Sequence, residues 1–248
     1  MKILVCISSV PDTTSKINFI NNQDFDKVGV TYIINPYDEF CLTKAIHIKE
    51  SNNATITVIN VGDEKNDSIL RKALAIGADN AVRINKNPDN SRMVADCIKK
   101  YCDDNQFDLI FCGRESIDYN GGKVPGFLAG KLEIPFINSC IGLEINNIKI
   151  KCKCEIDNGI VTLEGNLPVL IAGQKGLVEE KELKIPSMRG IMTARTKPLE
   201  IINMEDISNN SMKSVEYTKP TERSECKIFQ EDEVEKLVKT LSDEVKVI

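Results

Sequence analysis

The sequence contains no tryptophan, a single histidine (His47) and few aromatic residues, 5% in all. With one histidine, placed on an expected helix flank, a Ser/His/Asp or Cys/His catalytic set is hard to assemble. Nine cysteines are present, but none lies in a Cys-x-x-Cys pair. That removes the usual signal of a zinc ribbon or a thioredoxin-like site. No apolar run approaches the ~20 residues that span a bilayer, so direct membrane insertion is not expected. Basic excess is absent as well. A net charge of -5 at pH 7 gives no electrostatic footprint for nucleic acid.

What is present describes a globular chain of 248 residues, 42% hydrophobic and 28% charged, long enough for one large domain or for a domain plus an appendage. The odd cysteine count and lack of paired spacing fit a reducing compartment, and a cytoplasmic location is expected. Met1 to Ile7 reads as a first β-strand rather than a signal peptide. Cys6 and Cys112 sit in apolar strands and read as core residues. Cys152 and Cys154 share one face of a strand, where a metal would need two further ligands.

Hydrophobic periodicity alternates strand and helix through the first half. Strands are expected at 2–8, 28–34, 54–61, 80–84 and 107–112, and helices at 36–50, 66–76, 91–103 and 122–132. Such βαβ alternation implies an α/β fold, a doubly wound, mostly parallel Rossmann-like sheet covered on both faces. After Pro135 the pattern changes. Residues 148–156 alternate with period two, Asp157-Asn158-Gly159 marks a hairpin, and 160–164 and 167–172 read as further strands, all expected as antiparallel additions to the sheet. Residues 1–196 are thus expected to form the nucleotide-binding domain and 197–248 an extended arm. Val234, Leu237, Val238 and Leu241 give that arm one short amphipathic helix.

Two segments carry chemistry. The run Gly113-Arg114-Glu115-Ser116-Ile117-Asp118-Tyr119-Asn120-Gly121-Gly122-Lys123 joins an apolar strand to a small-residue helix beginning near Val124. A strand, a glycine-containing loop and a helix start in that order make an anion site. The first N–H groups of the helix lack partners, the glycines permit close backbone approach, and Lys123 adds a cation. The same residues also suit an ordinary β-α connection. In the second segment Asn35 suits an N-cap, Pro36 the first helical position, and Asp38 or Glu39 can reach back to complete the cap. If both segments end strands of one parallel sheet, they lie at the edge where open α/β sheets bind ligands.

These segments, with Val10-Pro11-Asp12-Thr13, Leu70 through Asp79 and Gly190-Ile191-Met192, resemble in order and spacing the β subunit of electron transfer flavoproteins. The resemblance covers nearly the whole chain. It implies a heterodimer with an α subunit that carries a redox-active FAD, and a second nucleotide held in this chain. That nucleotide is AMP in the simple type and a second FAD in the electron-bifurcating type, which uses NADH. Flavin dehydrogenases, such as the acyl-CoA dehydrogenases of fatty acid oxidation, would donate electrons, and a quinone oxidoreductase would accept them. The chain itself would be an electron-carrier subunit and not an enzyme.

Carried onto this sequence, the resemblance places the second nucleotide against Cys6, Asn35, Pro36, Tyr37, Asp38, Val61 and the loop from Gly113 to Val124. Thr13 and Tyr37 would face the α-subunit flavin. Met188, with Arg189 and Ile191, would dock the dehydrogenase, although the residues alone favour Met188 and Met192 as core packing. The loop departs from the family in lacking the threonine hydroxyl that bonds a phosphate. Backbone amides and Lys123 would serve instead. A reading from another class, a stand-alone adenine-nucleotide module, lacks the Gly-x-x-x-x-Gly-Lys-Ser/Thr phosphate loop.

Overall fold

The computed structural model of the chain describes residues 1–20, 24–204, 216–221 and 225–247. The elements run β1 (Lys2–Cys6), β2 (Ser9–Pro11), β3 (Phe19–Ile20), β4 (Asp24–Phe25), β5 (Tyr32–Ile34), α1 (Pro36–Ser51), β6 (Thr55–Gly62), α2 (Asp67–Ile76), β7 (Asn80–Asn85), α3 (Ser91–Asp104), β8 (Leu109–Gly113) and α4 (Lys123–Leu132). They continue with β9 (Phe136–Asn146), β10 (Lys149–Ile156), β11 (Gly159–Asn166), β12 (Val169–Gly173), α5 (Met188–Ala194), β13 (Leu199–Asn203) and α6 (Val234–Lys239). None of the described helices is long and apolar enough to cross a membrane.

One nine-stranded sheet organises the first unit, in the order β11-β10-β9-β12-β8-β1-β6-β7-β13. The central strands are parallel, and β10 and β11 are antiparallel additions, so the fold is the doubly wound α/β sheet that the alternation implies. From β1 the chain moves out to β6 and β7, then returns to β8 on the other side of β1. The order therefore reverses between β1 and β8, and their carboxyl ends flank the switch-point crevice.

Alternation along β1 divides the core. Ile3, Val5 and Ile7 pack with α1 and α2 on one face, and Leu4 and Cys6 pack on the other with α3 and α4. Local signals set the helix ends. Pro36 opens α1 with Asp38 and Glu39 in its first turn. Asn90 caps α3 by accepting from Met93 N at 2.9 Å. Gly77, at φ 156°, ends α2 in a conformation that L side chains resist.

Four expectations about strands are corrected. Residues 28–34 do not supply a strand of the main sheet. Only Tyr32–Ile34 is extended, and it pairs antiparallel with β2 in a separate ribbon. The strand expected at 167–172 is not antiparallel: β12 lies parallel between β8 and β9. β9 itself was not expected. Its apolar alternation is broken by Ser139, at φ 49°, and by a bulge against β10. Leu199–Asn203, placed in the arm by composition, is an edge strand parallel to β7.

A second unit comprises Phe19–Phe25 and Val215–Ile248. Within it Phe19 stacks on Tyr217, with ring centroids 4.8 Å apart and planes 9° from parallel. The short helix expected from Val234 is α6, which continues into a π-helical turn at Thr240–Val245. Val234 and Val238 are exposed on it.

Candidate functional site

The carboxyl ends of β1 and β8 are tied together by one side chain from α1. Asp38 accepts from Ser8 N through one carboxylate oxygen and from Gly113 N through the other, each at 2.7 Å. The residue is 2% exposed. Burial raises its carboxyl to about 7, opposed by the two backbone bonds and weaker ones from Asn35 and Ser8. Its neighbour Asn35, 1% exposed, donates to Glu115 O at 2.9 Å and accepts from Ile117 N at 3.3 Å. Asn35 makes no side-chain cap to its own helix. The expected capping pair is thus spent across the molecule, holding the 113–117 backbone, and Glu39 pairs with Lys72 at 2.8 Å. With both oxygens engaged, Asp38 shapes the site from below.

Gly113 is required by closeness. A methyl there would collide with Asp38 Oδ1 and lie 2.8 Å from Tyr37 Cβ. Beyond it the loop closes on itself, with Ser116 N donating to Gly121 O at 3.4 Å and Gly121 N donating to Ser116 O at 3.3 Å. The positive φ falls on Asn120, at 49°, and on neither glycine. Gly121 and Gly122 therefore supply room rather than an unusual conformation. Gly122 is the N-cap of α4 and brings no side-chain cap to the first-turn N–H groups of Lys123 and Val124. Lys123, Asp118, Tyr119 and Asn120 are exposed, as expected of a loop that meets a ligand or partner.

Arg114 braces the loop from the side. Its guanidinium donates to Gln174 Oε1 at 2.9 Å, contacts Glu115 at 3.2 Å, and lies 5.7 Å from the centroid of the Tyr37 ring. Gln174 in turn donates to Glu155 at the end of β10. Ser8, Gln174 and Glu155 were not among the expected site residues. Ser8 and Gln174 follow the carboxyl ends of β1 and β12, a position that was the available signal.

The floor on the opposite face is apolar. Cys6, Val61 and Cys112 are 8%, 7% and 3% exposed and point toward the α3–α4 layer, the side on which α4 begins. The Cys112 thiol is pushed well up, first by its hydrogen bond with Cys6 and then by burial, so it is a packing group and not a nucleophile. The backbone of β6 next to Val61 is pinned through Asn60, which donates to Ile7 O at 2.8 Å and accepts from Asn66 at 2.9 Å. Thr13 is exposed in the turn after β2 and joins none of these bonds. Among the described residues no group of three or more His, Cys, Asp or Glu is placed to hold a metal.

The remaining site residues lie on a helix where a loop was expected. Met188 opens α5, capped by Ser187, whose hydroxyl accepts from Gly190 N at 3.0 Å. Met188 and Met192 are 80% and 71% exposed, which overturns their reading as core residues. Ile191 is 44% exposed, and Arg189 is exposed beside it. α5 is pressed on α2. Arg71 donates to both Ala194 O and Lys197 O at 2.7 Å, and Lys197 donates back to Leu74 O and Ala78 O at 2.9 and 2.6 Å.

Comparison with known proteins shows the family. Residues 24–207 match the family model described as electron transfer flavoprotein domain. The chain is 34% identical to electron transfer flavoprotein subunit beta of Bacillus subtilis (strain 168), across 100% of both chains. It is 32% identical to the subunit of that name from Syntrophomonas wolfei, over 100% of this chain and 98% of the other. It is also 27% identical to the acryloyl-CoA reductase electron transfer subunit gamma of Anaerotignum propionicum, over 86% of this chain and 81% of the other. A family match over most of the chain and similarity along the whole length of its relatives show that this protein belongs to the electron transfer flavoprotein family, as a β subunit.

Proposed function

We propose that this chain is the structural half of a heterodimeric electron carrier. It holds an adenine nucleotide at the β1–β8 switch point and presents one wall to the FAD of an α subunit. The observation that carries the reading is the convergence at one sheet edge of a backbone loop fixed by Asp38 and Asn35 with an uncapped helix start at Gly122. The apolar floor of Cys6 and Val61 suits an adenine ring, with strand-end N–H and C=O groups for its edge. The start of α4 and Lys123 suit a phosphate. The missing threonine hydroxyl removes one phosphate donor but none of the backbone ones.

On this reading the FAD supplies the redox chemistry when the α subunit is present. Tyr37, held against Arg114, and the exposed Thr13 line its side of the interface. Met188, Arg189 and Ile191 dock the flavin dehydrogenase that donates electrons, and a quinone oxidoreductase accepts them. The chain is then a carrier subunit with no substrate turnover of its own, acting in the cytoplasm.

The test is a nucleotide count on the heterodimer co-expressed with its α partner. Denaturation followed by chromatography is expected to release one FAD and one AMP. Two FAD and no AMP would move a second redox centre into this subunit and replace the simple carrier with the electron-bifurcating type. FAD alone would remove the nucleotide from the 113–124 loop.

A further inference from the structure

Between α2 and α5 lies an open groove of about 530 Å³. Ala75, Pro186, Ile191 and Ala194 form its apolar lining, and Arg71, Lys72 and Arg195 stand around it with Ser68 at the rim. No carboxylate lines it. Lys72 is neutralised by Glu39 at 2.8 Å. Arg71 donates through Nη1 alone to two carbonyl oxygens, which are neutral acceptors and leave its charge uncompensated. Among the described residues neither Arg71, Arg189 nor Arg195 is ion-paired. Both walls are fixed. The Arg71 and Lys197 bonds clamp α5, and Gly190 rests against the Ala75 carbonyl so closely that a methyl there would collide with it.

A fixed apolar slot with unpaired cations around it is complementary to an apolar side chain flanked by carboxylates. We infer that the α2–α5 groove is a receptor for such a side chain on the surface of the dehydrogenase that docks at α5. Docking is then reciprocal. Met188 and Met192 project outward from one face of α5, and the partner inserts a side chain behind the other face. An anchor seated in a rigid pocket and ringed by opposite charge is the arrangement that concentrates binding energy at an interface. The inference rests on the docking role given to Met188 under the proposed function.

The test uses the heterodimer and a purified acyl-CoA dehydrogenase as donor, measuring the rate of electron transfer against donor concentration. S68W fills the groove from an exposed rim position, and R195E reverses its charge. Each is expected to raise the apparent KM for the dehydrogenase about tenfold, with unchanged flavin content, melting temperature and rate at saturating donor. The KM of the parent should rise with salt, and that of R195E should rise less steeply. M188A tests the docking role separately. A raised KM in M188A with none in S68W and R195E would overturn the groove and leave the docking role standing. No effect in any of the three would overturn both. A change of assembly size in S68W, with KM unchanged, would identify the occupant as a second copy of the heterodimer and overturn the inference.

Discussion

Asp38 and Gly113 are 75 residues apart in sequence, yet the carboxylate of one takes the amide proton of the other at 2.7 Å inside the switch-point crevice. The second oxygen does the same for Ser8. The two strand ends that frame the candidate site are held at a set distance by a single buried carboxyl group.

That carboxyl group bears on stability in two ways. Asp38→Ala leaves the buried Gly113 N–H without its acceptor and frees the more exposed Ser8 N–H to water, so denaturant unfolding should show a loss of about 1–3 kcal/mol. The pH dependence has the opposite sign to an ordinary ion-paired aspartate. Burial raises the folded-state carboxyl to about 7 from its ordinary 3.8. The folded chain therefore binds this proton more tightly than the unfolded chain. The stabilisation is fully present below the unfolded value and is lost as pH rises through about 7. Unfolding free energies of the parent and Asp38→Asn, measured across pH 4 to 8, should diverge with that slope. Parallel curves would show that Asp38 does not titrate in this range.

Gly113→Ala should be worse than its size implies. The added methyl meets Asp38 Oδ1 and Tyr37 together, and both are anchored. Overpacking of this kind costs about 1–3 kcal/mol. The heterodimer should also lose bound nucleotide, because the loop that follows is displaced. Gly29→Ala is the comparison. Its φ of 74° strains a side chain, but nothing lies within 4 Å, so it should cost about 1 kcal/mol with nucleotide content unchanged.

Gly190→Ala forces α5 away from the Ala75 carbonyl. Hydrogen exchange across 188–197 should accelerate at least tenfold while the sheet remains protected. Arg71→Ala should do the same by releasing two carbonyl groups at the end of α5. Equal protection in both variants would mean that α5 is held by its own propensity.

All nine cysteines are free, and Cys226 alone is exposed. Native protein should release one equivalent in a thiol titration and nine after denaturation. More than one fast thiol in the native state would show that at least one of the eight buried cysteines is in contact with solvent.

Much of the fold was legible because helices and parallel strands carry their own periodicity. β1, β6, β7, β8 and α2 to α4 follow from apolar spacing and from end signals such as Gly77. β5 was misplaced because Tyr32-Ile33-Ile34 is as apolar as a central strand, and pairing with β2 is not written in composition. β12 has the same ambiguity, since a short apolar run does not state its direction. At the site, the identities of Asn35 and Asp38 were legible but their partners were not. A capping sequence and a long-range tether use the same acceptor atoms, and only the return of β8 beside β1 decides between them. Gln174 escaped because a polar residue after a strand is ordinary until its neighbours are known.

β12 joins β8 to β9, and without it the main sheet falls into two separate pieces, β9 to β11 and β8 to β13. On a translating ribosome this strand arrives late, after the whole hairpin has emerged. Until then the nascent chain displays the bare edge of β8, whose residues Leu109 to Cys112 are among the most apolar of the core. That edge is a template for pairing with another chain. Truncations ending at residue 166 should sediment as aggregates, which makes the interval between synthesis of Asn166 and Gly173 the period in which a chaperone matters most.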